Sequence, residues 1–286
     1  MNYDELKKKY QKDGYVVLEN FFNIEFINKI NEVVNDIISN SKNINKNDYL
    51  YDLEDAHLQN GIPQVRRIKN PVEQINELEF VIKNEKLLQL LKCFLGANIR
   101  LHHSKINMKN PILGSSVEWH QDWAFYPHTN DSVLEVGIPL ANITEENGPM
   151  LVIPKSHKKS IYNHHDNGYF CGAIKSDDIK INEKKIKPLL CNIKSITLHH
   201  AKLVHGSNYN KSKFKRPLML LGFTAADAWP LMGIKDYNKF KNNIILGKHI
   251  NEPRLSDNHV IMPLPVSRNE GSIYENQKNF KHRYFE

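Results

Sequence analysis

Residues 193–223 read Ile193-Lys-Ser-Ile-Thr-Leu198, then His199-His-Ala-Lys-Leu203-Val-His205-Gly-Ser-Asn208, then a polar link to Arg216-Pro-Leu-Met-Leu-Leu-Gly-Phe223. Two short apolar runs flank a histidine-rich turn, which is the pattern of adjacent strands rather than of a helix. Further runs of this kind lie upstream at Ile99–Met108, Val133–Leu140 and Met150–Ile153, separated by Pro, Gly and Asn. Short strands at close spacing, bounded by turn residues, predict a sandwich or barrel.

Before residue 100 the period changes. Asn23 is placed to cap a helix whose Ile24, Ile27, Ile30, Val34 and Ile37/Ile38 recur near every 3.6 residues. A second amphipathic helix is predicted from Glu79 to Phe94, with Phe80, Val81, Leu87, Leu88 and Leu91 on its apolar face and Gly96 as its stop. One short strand, within Gly14-Tyr-Val-Val-Leu-Glu-Asn20, is expected in this otherwise helical portion. The polar stretch 154–187 reads as a long loop of the kind that forms lids. Helices followed by strands give an α+β organisation with a mainly β core buttressed by helices.

The chain has 286 residues, 39 Lys+Arg against 32 Asp+Glu, a formal net charge of +7 and 14 histidines. That length suits two average domains or one large β domain; no internal repeat or long linker is visible, and a single domain over 1–286 is expected. Its expected parts are helical support mainly in 1–100, a β core at about 100–225 and a C-terminal extension at 226–286. Three cysteines, Cys93, Cys171 and Cys191, make neither a disulfide framework nor a zinc spacing, which points to a reducing, cytoplasmic setting. The first residues are charged, unlike a signal peptide, and no apolar run approaches a membrane span. The lysines are scattered and follow no nucleic-acid-binding motif, so no specific nucleic-acid partner is expected; a steering field for small anions is the remaining use of the charge. The sequence is silent on oligomeric state.

The strongest chemical signal is Trp119-His120-Gln121-Asp122. Residues i and i+2 of a strand share a face, so His120 and Asp122 project together, as two members of a 2-His-1-carboxylate metal triad. The third ligand must come from His157, His164, His165, His199, His200 or His205. His205 stands out because Gly206 follows it and lets the backbone pass close to a metal. Eleven residues on, Arg216 heads an apolar strand and shares a face with Leu218, Leu220 and Gly222. A guanidinium there needs an anion, and a clamped ligand carboxylate suits it.

Taken together these residues resemble the phytanoyl-CoA dioxygenase family of Fe(II)/2-oxoglutarate oxygenases. The similarity rests on Asp13-Gly14-Tyr15-Val16-Val17-Leu18 with Phe21-Phe22, on His120-x-Asp122, on Asn147-Gly148-Pro149 through Pro154-Lys155-Ser156-His157, and on His205-Gly206-Ser207 followed by Arg216. The resemblance implies a double-stranded β-helix, or jelly roll, with Fe(II) held by His120, Asp122 and His205. It implies that Arg216, Ser207 and Asn107 bind 2-oxoglutarate, and that dioxygen is consumed with release of succinate and CO2. Related halogenases replace the carboxylate ligand by a small residue, so Asp122 implies hydroxylation; desaturation, cyclisation or a non-catalytic metabolite sensor on the same fold are the alternatives. In the family the Pro-x-Ser-His segment is a structural turn, which places His157 outside the metal set. His199 and His200 are expected in surface or packing roles, and His102, His103, His164 and His165 show no partner in sequence.

The substrate is expected to be a small polar metabolite or natural-product intermediate, with an anion among the options. Lys105, Arg67, Gln121, Trp123, Tyr126 and Trp229 are the candidate contacts, with His128, Arg66 and Asp227 beside them. No feature supports a long acyl-CoA.

Overall fold

The computed structural model describes residues 2–111, 115–269 and 271–285. The first helix, α1 (Tyr3–Asp13), begins where the Asn2 side chain accepts the Glu5 N–H and ends at Gly14, whose φ of +86° is the left-handed stop that favours glycine. After β1 (Tyr15–Leu18) comes α2 (Ile24–Asn40), capped by Asn23 and burying Ile27, Ile30, Val34 and Ile37.

Two further strands, β2 (Tyr51–Leu53) and β3 (Val65–Lys69), correct the expectation of one strand before residue 100. They escaped hydropathy reading because the charged side chains of Arg66-Arg67-Ile68-Lys69 turn into ion pairs and a polar cavity instead of solvent. After α3 (Pro71–Gln74), the expected helix 79–94 is two: α4 (Glu79–Ile82) and α5 (Glu85–Leu95). Asn84 takes an extended conformation and caps the Leu87 N–H, so local capping overrides a continuous apolar period.

The β core follows: β4 (Ile99–Lys109), β5 (Val117–His120), β6 (Val133–Pro139), β7 (Leu151–Val152), β8 (His165–Asp166), β9 (Tyr169–Phe170), β10 (Lys187–Pro188), β11 (Ile196–His200), β12 (His205–Ser207) and β13 (Arg216–Ala225). The chain then adds α6 (Tyr237–Asn242), β14 (Ile244–Leu246) and α7 (Ile273–Asn276). Residues 154–187 are mostly irregular, as expected, apart from short 3-10 turns and the β8–β9 hairpin.

Eight strands form one sheet in the order β1-β11-β6-β13-β4-β3-β2, with β14 beside β4; β10-β7-β12-β5 form a second. Two mainly antiparallel sheets facing each other make the double-stranded β-helix. One face of the large sheet carries Ile106, Val136, Ile138, Leu198, Met219 and Leu221, packed in one apolar cluster with Ile27, Ile30, Leu87, Leu90 and Leu91 of the helices. Each such side chain stabilises the fold by about 1.5–3 kcal/mol on full burial. Strand alternation then aims the intervening residues at the small sheet: Arg216, Leu218, Leu220 and Gly222 on β13, Glu135 and Gly137 on β6, Thr197 and His199 on β11. On β4 the register shifts between Gly222↔His103 and Phe223↔Leu101, leaving His102 as a bulge residue beside the cavity.

Candidate active site

The cavity between the sheets has a volume of about 360 Å³ and is lined at its centre by His120, Asp122 and His205. On the small sheet β12 lies antiparallel to β5 with His205 opposite His120, and their rings are 4.0 Å apart. β5 ends at His120, yet Gln121 stays extended (φ −124°, ψ 126°), so Asp122 keeps the same side although it starts a 3-10 turn. One donor atom from each of His120, Asp122 and His205 lies within 4.8 Å of the others, and all three residues are buried.

The hydrogen bonds fix which atoms face inward. His120 Nδ1 meets the Glu118 carbonyl at 2.8 Å, and His205 Nδ1 meets the Leu203 carbonyl at 2.9 Å. A carbonyl only accepts, so both Nδ1 atoms carry the proton and both Nε2 lone pairs are left for a cation. Burial, reinforced by the neighbouring His205, holds His120 neutral well below its ordinary value, and burial brings His205 down to about 4. Burial works against ionisation of Asp122, but His205, Lys105 and His199 outweigh it and keep the carboxyl well below the usual range. Two neutral imidazoles and one carboxylate in this arrangement suit a divalent transition metal and leave positions open for other ligands.

One end of the cavity carries Arg216, Ser207 and Asn107. Arg216 is buried and donates to the Gly148 carbonyl at 2.6 Å, more weakly to that of Asn147 at 3.5 Å, and pairs with no carboxylate among the described residues. Burial lowers its pKa only to about 10, so it remains a cation. Asn107 Oδ1 is buried without a hydrogen-bond partner. A ligand carboxylate meets the unpaired Arg216 guanidinium, whereas Asn107 Oδ1, an acceptor, calls for a donor.

Elsewhere the lining holds Lys105, Tyr126, His103, Glu135 and Arg67. Glu135 is fully buried, accepts from the Tyr126 hydroxyl at 2.9 Å, and has His103 Nε2 at 2.9 Å and Lys105 Nζ at 3.9 Å. Three of the expected substrate contacts, Lys105, Tyr126 and Arg67, therefore line the cavity.

Three other expected contacts lie elsewhere. Trp123 is fully buried against Val133, Ile161 and Ala201. Gln121 donates to the Lys202 carbonyl and accepts from the Tyr162 N–H, which ties loops together away from the cavity. Trp229 packs on Phe240 and His249 and donates to the Ile250 carbonyl. In each case an apolar or hydrogen-bonding demand of the fold takes up the side chain. The neighbours His128 and Arg66 also turn away from the cavity. His128 Nδ1 donates to the Tyr126 carbonyl, and Arg66 pairs with Glu54. His157 sits under α1 against the Gln11 carbonyl, distant from the triad in role.

Among the lining residues that escaped the sequence reading, four bear directly on the site's polar groups. His199 is buried with Nε2 3.2 Å from Asp122 Oδ2, which corrects its expected surface or packing role. His103 and Glu135 pair as described, and Tyr274 enters from the C-terminal extension. Strand alternation offered a signal for two of them: Glu135 interrupts the apolar run Val133–Ile138, and His199 is out of phase with Ile196 and Leu198. Nothing in sequence linked Tyr274 to the site.

The model of the phytanoyl-CoA dioxygenase (PhyH) family matches residues 10–218. The chain belongs to this family. As a phytanoyl-CoA dioxygenase family member it is an Fe(II)- and 2-oxoglutarate-dependent dioxygenase, and the unmatched donors above fit both groups. It is 36% identical over 285 residues to a probable alpha-ketoglutarate-dependent hypophosphite dioxygenase of Stutzerimonas stutzeri, covering 98% of this chain and 99% of that one. Identity to the ectoine dioxygenase of Bordetella parapertussis is 22%, over 77% and 74% of the two chains. Among solved structures, EctD from S. alaskensis with bound Fe superposes with a TM-score of 0.65 at 19% identity, covering 91% of this chain and 88% of that one. The epimerase SnoN in complex with Fe3+, alpha ketoglutarate and nogalamycin RO gives 0.65 at 15% identity, covering 90% and 97%. These last two likenesses carry the fold. No helix among the described residues is long and apolar enough to cross a membrane.

Proposed function

We propose that this dioxygenase hydroxylates a small anion, with hypophosphite as the foremost candidate, converting it to phosphite. Two observations support the reading. The full-length relative carries that activity in its name. The cavity lining presents the basic side chains Arg67, Lys69, Lys105 and Arg216 against two carboxylates, Asp122 and Glu135, while burial beside Arg216 pushes the fifth, Lys109, well below the usual lysine range. At about 360 Å³ the cavity lies near the lower end for small-molecule sites, and 2-oxoglutarate must share it. That leaves room inside for a small substrate beside 2-oxoglutarate.

In this reading His120, Asp122 and His205 hold Fe(II) through Nε2, carboxylate and Nε2. Arg216 binds the distal carboxylate of 2-oxoglutarate, assisted by Ser207 and Asn107. Bound iron, with dioxygen and 2-oxoglutarate, supplies the oxidant: one oxygen atom enters a P–H bond to make P–OH, the other enters succinate, and CO2 leaves. The chain's own residues orient and shield. Lys105 and Arg67 offset the substrate's charge, Tyr126, its hydroxyl donated to Glu135, borders the substrate space, and Leu218, Leu220 and Phe125 exclude water.

The carrying observation is the buried triad facing an Arg216 with no carboxylate partner. The test is anaerobic addition of Fe(II) and 2-oxoglutarate, followed by dioxygen and hypophosphite. A weak visible charge-transfer band, then phosphite and succinate in equal amounts, is the expected result. Succinate without phosphite removes hypophosphite from the reading, and absence of the band in wild type removes the site assignment.

A further inference from the structure

The geometry points to the C-terminal segment 271–285 as a working part of the cosubstrate site, with the Tyr274 hydroxyl donating to the carboxylate that Arg216 binds. The inference rests on the assignment of Arg216 to 2-oxoglutarate above, and concerns residues beyond the 10–218 matched by the family.

Gly271, Ser272, Ile273 and Tyr274 line the cavity together with Arg216, Ser207 and Asn107. Tyr274 is 9% exposed and lines the same cavity as Arg216 and Arg67, whose charges act on its phenol. Burial raises its pKa, which keeps the phenol protonated and a donor. The ring is held in place: the Arg66 guanidinium lies 5.6 Å from its centroid, and Arg66 is fixed by Glu54 at 3.0 Å and by Glu275, the residue after Tyr274, at 3.2 Å.

The segment is anchored to the two strands that present the histidines. Gln277 accepts from the Glu118 N–H at 3.0 Å and donates to the Gly172 carbonyl at 2.8 Å. Glu118, fully buried and two residues before His120, accepts from the Tyr284 N–H at 2.8 Å and the Phe285 N–H at 3.3 Å, with Arg283 at 3.4 Å. The Phe285 ring fills the space over Gly206, the residue after His205: a Cβ there would come within 2.8 Å of it. A buried carboxylate that satisfies three donors from one tail is a costly arrangement for a segment without a role at the site. It fixes Tyr274 relative to the triad.

The test is calorimetric titration of 2-oxoglutarate, and separately of pyruvate, into the Fe(II)-loaded full chain without dioxygen. Pyruvate carries the 2-oxo acid and lacks the distal carboxylate. Tyr274→Phe removes only the hydroxyl and keeps the packed ring. Its expected effect is about tenfold weaker 2-oxoglutarate binding with pyruvate binding unchanged. Gln277→Ala, which loosens the anchor, is expected to weaken 2-oxoglutarate binding in the same direction. Wild-type affinity in Tyr274→Phe, with Arg216→Ala losing 2-oxoglutarate, overturns the inference and leaves the proposed function standing. An equal loss for both ligands in Tyr274→Phe also overturns it, because the hydroxyl then acts through structure rather than on the carboxylate. Wild-type affinity in Arg216→Ala overturns both readings.

Discussion

His199 Nε2 lies 3.2 Å from Asp122 Oδ2, spanning from the large sheet to the turn after β5. The carboxylate otherwise faces His120 and His205 at 3.9 and 3.7 Å. His199 is thus the group that fixes which carboxylate oxygen is free to bind a metal, a role that outer partners of metal ligands commonly play.

Replacing His199 by Ala is therefore expected to weaken Fe(II) binding by about 10–100-fold while the fold persists. Competition with a chromophoric chelator measures it. Iron affinity equal to wild type means that Asp122 is positioned without His199.

Gly222 lies between His103 and Glu135 across the large sheet. A Cβ there would come within 2.6 Å of His103 Cε1 and 2.7 Å of Glu135 Oε1. Both atoms are side-chain ends, so Gly222→Ala displaces the pair rather than the backbone while Tyr126 and Lys105 still face Glu135, and the variant is expected to lose about 1–3 kcal/mol of stability. Denaturant unfolding reads this, and a loss below about 1 kcal/mol means the pair relaxes freely.

Lys105 keeps its ammonium near Glu135 at 3.9 Å, whereas Lys69 is closer to Asp52, at 3.2 Å, and Lys109 is held by the Ser115 and Asn208 carbonyls. Lys105→Met is expected to raise KM for hypophosphite about tenfold or more with KM for 2-oxoglutarate unchanged. A rise in both constants places Lys105 at the cosubstrate instead.

Burial lowers the pKa of His128 and of His164 to about 4. Unfolded, each takes up a proton near pH 6.5. The unfolded chain thus binds more protons between about pH 6.5 and 4, and stability falls as pH drops through that window, by about 1.4 kcal/mol per unit for each group. Thermal unfolding of the metal-free protein at pH 7.5, 6 and 5 tests the sign; a midpoint that rises toward pH 5 contradicts it.

Periodicity made the helix at 24–40 and the main strands legible because amphipathic alternation is local. It missed β3, where Arg67 and Lys69 face a polar interior, and it fused α4 with α5 because Asn84 acts through one side-chain hydrogen bond that hydropathy does not register. His120-x-Asp122 and the strand after Arg216 were legible as chemistry because neighbouring residues carry both the motif and its geometry.

The sequence by itself determined the fold class, the triad candidates His120, Asp122 and His205, and Arg216, since each is announced within a few residues of its own strand or turn. Only the tertiary structure decided that His199 supports Asp122, that Glu135 draws in His103, Tyr126 and Lys105, and that Trp123, Gln121 and Trp229 serve packing. It also brought Tyr274 into the cavity that Arg216 lines, 58 residues away in the chain. Those relations depend on which strands become neighbours and which tail crosses them. Sheet order and tail docking follow from packing of the whole chain rather than from any local period.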